Sequence, residues 1–128
     1  MPLRTAAAGL LLALVAACAP MVTSQPATLD TAPAAGPQDL RLAAPTTLTL
    51  PTGYQRTLGT AVTWRSVGRL PQGRVYRPVD SVFTIEGQQV HEAWLVVDET
   101  RLVGFYLPGE SRYSPLDTPV RLPMGESK

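Results

Sequence analysis

Beyond residue 45 the chain alternates short runs of β-branched, aromatic and leucine positions with polar breaks that carry Gly or Pro about every ten residues. Apolar runs of roughly four to eight residues, punctuated by turn formers, are the pattern of an all-β domain. They predict strands at Thr47–Leu50, Thr60–Val67, Arg74–Arg77, Ser81–Glu86, Val90–Val97, Leu102–Leu107 and Val120–Leu122. Breaks fall at Pro51-Thr52-Gly53, Gly68, Pro71-Gln72-Gly73, Pro78, Gly87-Gln88, Asp98–Arg101, Pro108-Gly109 and Ser114-Pro115. Gly or Pro interrupts every window of helical period there, so no helix of normal length is expected.

Two adjoining hairpins give the most detail. A two-residue Gly87-Gln88 turn suits type II′ geometry, which takes Gly first. It sets Ile85 opposite Val90 and Phe83 opposite Glu92. The Asp98–Arg101 loop sets Val97 opposite Leu102, Val96 opposite Val103 and Trp94 opposite Phe105. Side chains alternate across a strand, so Phe83, Ile85, Val90, Trp94, Val96, Val103 and Phe105 are expected to share the core face, with Glu92 among them. The other face, with His91, Ala93, Leu95, Val97, Leu102 and Tyr106, is also largely apolar, and such strands are normally covered on both sides. The expected fold is a small antiparallel meander closing into a barrel or sandwich, SH3-like in size, or one whose second face meets a partner through Leu95 and Tyr106.

Upstream the pattern changes twice. Residues 19–45 are rich in Ala, Pro, Thr and Gln, without an aromatic side chain. Such a stretch lacks the apolar surface to offset its ordering entropy, so residues 18–45 are expected to be a flexible tether ahead of a domain at 46–128. At ~3.1 Å per residue in extended Pro-rich form it would reach several tens of Å. Leu40-Arg41-Leu42-Ala43-Ala44 is the exception, able to form a helical turn or dock on the domain. Before this lies Arg4, then an apolar run from Ala6 to Ala17 that closes Val15-Ala16-Ala17-Cys18 on the single cysteine.

These residues resemble the lipobox of bacterial lipoproteins, a branched aliphatic residue and two small ones before an invariant cysteine. The resemblance implies that residues 1–17 are a signal peptide, that the Cys18 thiol is diacylglycerylated, and that the new amino terminus is acylated. Ala19, where an aspartate would retain the protein, implies the outer membrane, facing the periplasm. A charged start, an apolar core and small residues before the cut also fit a secretory leader on general grounds. Counted on to Ala19, the apolar run is about 14 residues, short of the roughly 18 that span a bilayer, and an ordinary signal peptide is the other reading. Acylation accounts for an odd cysteine in a secreted chain and leaves the mature domain without a disulfide. A domain of about 80 residues is marginal alone.

The chain carries 11 basic and 10 acidic residues. Their distribution is uneven: positions 40–79 hold Arg41, Arg56, Arg65, Arg69, Arg74 and Arg77 with no acid, while most acids lie beyond residue 79. Either strands from the two halves interleave and neutralise one another, or a basic face meets an acidic partner. The 65–77 hairpin, with Arg65, Arg69, Arg74 and Arg77, is the most visible binding patch. His91 is the only histidine, which leaves no multi-histidine metal site, and no phosphate-binding or nucleophile-elbow motif occurs. Glu92 on a core face calls for an arginine partner or a ligand. Trp64, Tyr76, Trp94, Phe105, Tyr106 and Tyr113 make either core or an aromatic groove.

The sequence therefore points to a non-enzymatic envelope lipoprotein without metal or cofactor. Its partners would be the membrane, through the anchor, and another envelope protein, with no role for nucleic acid. An accessory of a secretion or conjugation apparatus is one concrete form. The alternative is a periplasmic inhibitor or ligand-binding protein that uses the arginine hairpin.

Overall fold

Strands alone build the regular structure of residues 20–32 and 38–124, the part of the chain described by the computed structural model. In chain order they are β1 (Gln25–Pro26), β2 (Asp39–Leu40), β3 (Thr46–Thr49), β4 (Gln55–Leu58), β5 (Trp64–Leu70), β6 (Gly73–Pro78), β7 (Thr84–Glu86), β8 (Val90–Glu92), β9 (Trp94–Asp98), β10 (Arg101–Leu107) and β11 (Arg112–Arg121). Seven of them form one antiparallel sheet in the order β1-β11-β10-β9-β6-β5-β2, and β3-β4 and β7-β8 form two small hairpin sheets. The all-β expectation holds. Among the described residues no ladder joins the edge strands β1 and β2, so the sheet is not a closed barrel and the layered alternative describes it better.

The central strands are apolar on both faces, and both faces are covered. On the first face Trp64, Leu95, Val97, Leu102, Phe105 and Leu107 pack under Leu48, Leu50 and Leu58 of the β3–β4 region and under Phe83 and Ile85 beside β7. Phe83 lies between Trp64, edge-on at 5.7 Å, and Phe105, stacked at 5.9 Å. On the second face Leu70, Val75, Val96, Tyr106 and Tyr113 form a smaller core, against which Ala27, Leu29, Val67, Trp94 and Val103 pack.

Part of that second cover comes from the segment expected to be a tether. Within the described residues, 20–32 and 38–45 are built into the fold. Gln25 pairs with Tyr113 and Pro26 with Arg112, and the Ala27 amide donates to Ser111 O at 3.1 Å. Asp30 then exchanges backbone hydrogen bonds with Arg69 at 2.9 and 2.8 Å. Gly68, at φ +155°, permits this approach, because a Cβ there would collide with the Asp30 carbonyl. Asp39 and Leu40 pair with Arg65 and Trp64, and Leu42 bridges to Met124. Leu40 and Leu42 are buried in the first core, which realises the docking option for Leu40–Ala44. The segment gains what its composition lacks by pairing backbone with both sheet edges. Only about 10 Å of chain separates Ala27 from Asp30, so the sheet coils far enough to bring β11 and the end of β5 near each other.

Two irregularities change the expected registers. The β7–β8 turn spans Gly87-Gln88-Gln89, so Ile85 faces His91 and Glu86 faces Val90, one residue off a two-residue turn. A bulge at Val103 leaves Val97 opposite Leu102 as expected, but sets Val96 opposite Gly104 and Trp94 opposite Tyr106. A single inserted residue reverses which face every later side chain takes. Leu95, Val97 and Leu102 thus join Phe83 and Phe105, while Trp94, Val96 and Val103 lie on the other side. Val90 is exposed.

Candidate functional site

The arginine-rich hairpin does not present one patch. In the β5–β6 ladder Arg65 faces Arg77, and Arg69 faces Arg74. Alternation along β6 puts Arg74 on the side of Tyr76 and Arg77 on the side of Val75, so the two pairs lie on opposite faces. Arg65 forms a bidentate ion pair with Asp39 of β2, with Nε 2.9 Å from Oδ1 and Nη2 3.3 Å from Oδ2. That hydrogen bond holds the Asp39 carboxyl below its ordinary range and raises the guanidinium in turn. Arg56 also reaches across the sequence, to Glu86 at 3.4 Å, with its guanidinium 4.9 Å above the Phe83 ring. The Arg56–Glu86 contact is the neutralisation by interleaving that the charge distribution allowed, whereas Asp39 lies just upstream of the basic stretch. Arg69 and Arg74 stand at the end of the sheet that also carries the Asp98–Arg101 turn and the facing pair Arg101 and Arg121.

The apolar second face is not open to a partner. Leu95 is fully buried in the first core, and Tyr106 is buried in the second, 5.9 Å from Trp94. The six aromatic residues considered for a groove are divided between the two cores, with Trp64 and Phe105 in one and Tyr106 and Tyr113 in the other. Glu92 is exposed and accepts from Trp94 Nε1 at 3.2 Å, so no buried carboxylate awaits a ligand at that position. Cys18 lies outside the described residues.

Among the described residues a concavity opens at the end of the sheet opposite Arg69 and Arg74. It is an open groove of about 520 Å³ lined by Met21, Val22, Thr23, Ser24, Gln88, Gln89, His91 and Arg112. One wall is the segment before β1, which Arg112 at the start of β11 fixes in place. Its Nε donates to Ser24 Oγ at 2.6 Å and its Nη2 to the Ser24 carbonyl at 2.8 Å. The other wall is the β7–β8 turn, joined to the first where the Gln88 amide donates to Pro20 O at 2.9 Å. His91 Nδ1 lies 2.9 Å from Glu110 Oε2. A carboxylate can orient an imidazole, but the Ser24 hydroxyl accepts from a guanidinium, which is the contact of a wall support rather than of an activated nucleophile. The groove can accept an apolar group along Met21 and Val22, with hydrogen bonding from the Gln88 and Gln89 side.

Sequence reasoning did not single out this groove beyond His91. Ser24 and Arg112 are 88 positions apart, and nothing in local pattern or spacing links them. No protein-family model, curated protein or solved structure matches the chain.

Proposed function

We propose that the chain is a non-enzymatic lipoprotein of the bacterial envelope, held to the membrane through acylated Cys18 and binding or scaffolding another envelope component. The observation that carries this reading is Val15-Ala16-Ala17-Cys18, closing an apolar run of leader length on the only cysteine. Ala19 favours the outer membrane with the domain facing the periplasm. The docking of Pro20 on the β7–β8 turn adds that the domain would begin within two residues of the anchor. The opposite end of the sheet is about 20 Å away along β10. It carries Arg69, Arg74, Arg101 and Arg121 and faces away from the lipid, where an acidic partner of an envelope assembly, such as a secretion or conjugation apparatus, would meet it. An inhibitor that inserts the hairpin as one basic prong is less well supported, because Arg65 and Arg77 lie on the other face from Arg69 and Arg74.

The test is the intact mass of the mature protein together with cell fractionation. The expected result is a chain that begins at Cys18 with acyl mass added, while Cys18→Ser leaves the membrane fraction or stays unprocessed. An unmodified Cys18 thiol in the mature protein would overturn the proposal.

A further inference from the structure

Among the described residues four large apolar side chains are exposed: Met21 at 71%, Val82 at 70%, Val90 at 65% and Tyr54 at 44%. Three of them belong to segments that meet at one point. The Thr52 hydroxyl, in the β3–β4 turn just before Tyr54, donates to Glu86 O at 2.6 Å. The Gln88 amide, two residues before Val90, donates to the carbonyl of Pro20, the neighbour of Met21. A Cβ placed on Gly87 would meet Pro20 O at 2.8 Å, Val22 Cγ2 at 2.9 Å and Thr52 Cγ2 at 3.0 Å. The three segments thus converge on Gly87 and form one end of the domain. Val82 is the exception, at the opposite end of the small β7–β8 sheet from this turn.

We infer that this end, with Met21, Val90 and Tyr54 at its tips, is a lipid-contacting face that seats in the interfacial layer of the bilayer. The inference rests on the acylation of Cys18 proposed above. Only Ala19 separates Cys18 from Pro20, so the docked Pro20 lies at most about 7 Å of chain from the Cα of the acylated cysteine. With the acyl chains in the hydrocarbon, Pro20 stands at headgroup depth, and Gly87 and Thr52 in contact with it stand there too. Apolar tips at that depth leave water for the acyl boundary, as those of interfacial segments do. The tip segments 20–26, 51–56 and 87–91 contain no Asp or Glu, and the carboxylates beside them, Glu86, Glu92 and Glu110, are engaged by Arg56, Trp94 and His91. The anchor supplies affinity, and the tips fix which way the domain faces.

The natural chain has one cysteine, which acylation consumes, so an added cysteine is the only thiol of the acylated full-length protein. Val90→Cys, Tyr54→Cys and, at the far end, Glu99→Cys all replace exposed residues. Each is labelled with an environment-sensitive nitrobenzoxadiazole dye and reconstituted in vesicles of phosphatidylethanolamine and phosphatidylglycerol. The labels at positions 90 and 54 are expected to shift to the blue and brighten severalfold relative to detergent-free buffer emission, while the label at 99 stays water-like. A label at 90 or 54 that is as aqueous as the one at 99, in vesicle-bound protein of verified acyl mass, overturns the contact face and leaves the anchor standing. A wild-type chain that itself takes the dye has a free Cys18 thiol, and that overturns the anchor and the face together.

Discussion

Phe83 shows how single residues hold this fold together. It reaches from the loop before β7 into the space between Trp64 and Phe105, and Arg56, paired with Glu86, lies over its ring. Trp64 is 2% exposed, so Trp64→Ala should cost about 3–5 kcal/mol, the usual range for a buried aromatic. That is most of the stability of a small domain. Trp94, half-buried and bonded to the exposed Glu92, should cost clearly less, and the two denaturant midpoints compare them directly. Tyr113 carries a pH signature. Its hydroxyl donates to Val103 O at 3.2 Å, and burial raises its pKa above the ordinary tyrosine value. The unfolded chain ionises this group first, so the stability it contributes is intact below pH ~10 and is lost as pH climbs from there through the raised folded value. Tyr113→Phe should lose about 1 kcal/mol at neutral pH with the hydrogen bond. It should also flatten the fall in urea midpoint between pH 9 and 11. Parallel falls in the variant and the natural chain would show that Tyr113 is not the source.

At the level of strands, what could be read from the sequence was the all-β character and the rough position of most of the apolar runs. What could not be read was anything set by one residue of register. Nothing in Leu102-Val103-Gly104 announces that Val103 bulges, yet that bulge decides which β9 side chains share a face with Phe105.

 That is, Leu95 turns inward to the first core and is closed to any partner, while Trp94 turns to the second face. The turn Gly87-Gln88-Gln89 reads equally well with two residues or three, and the third moves Val90 out to solvent. β4 is not legible because Gln55-Arg56-Thr57-Leu58 has a single apolar side chain, and β11 is legible only at its Val120-Arg121 end because Ser114-Pro115 looks like a break. The proline is tolerated there because β1 pairs with β11 only at Arg112 and Tyr113, which leaves Pro115 on an open edge. The N-terminal segment was misread for a related reason: composition reports side-chain burial, whereas this segment is held by backbone pairing and a few leucines. Leu42, 3% exposed, makes the difference measurable. Leu42→Ala should cost about 2–5 kcal/mol as a core truncation, where a residue in a free tether would change the denaturant midpoint by almost nothing.

Across the whole molecule the two ends of the sheet differ in chemistry. One end gathers Pro20, the β3–β4 and β7–β8 turns and the groove at His91 and Arg112, and the other carries Arg69, Arg74, Arg101 and Arg121 around Asp98 and Glu99. Replacing the exposed Arg69, Arg101 and Arg121 with serine should leave the fold intact, because exposed charges contribute on the order of 0–1 kcal/mol each. It should weaken capture of the envelope partner, and capture by the natural chain should fall with added salt. The Arg65→Ser and Arg77→Ser pair, on the opposite face from Arg69 and Arg74, should leave capture unchanged; equal loss from both sets would move the contact to the hairpin as a whole. The proposed arrangement of anchor, domain and partner depends most on the chain after Cys18 being locked into the domain. Amide hydrogen exchange on the acylated full-length protein tests this directly. The Ala27, Asp30 and Ala43 amides, which donate to Ser111, Arg69 and Pro123 carbonyls, should exchange as slowly as those of Leu95 and Val96 in β9, which is flanked by strands on both sides. Exchange of all three at open-chain rates, with Leu95 and Val96 still protected, would make the segment a tether after all and contradict the account.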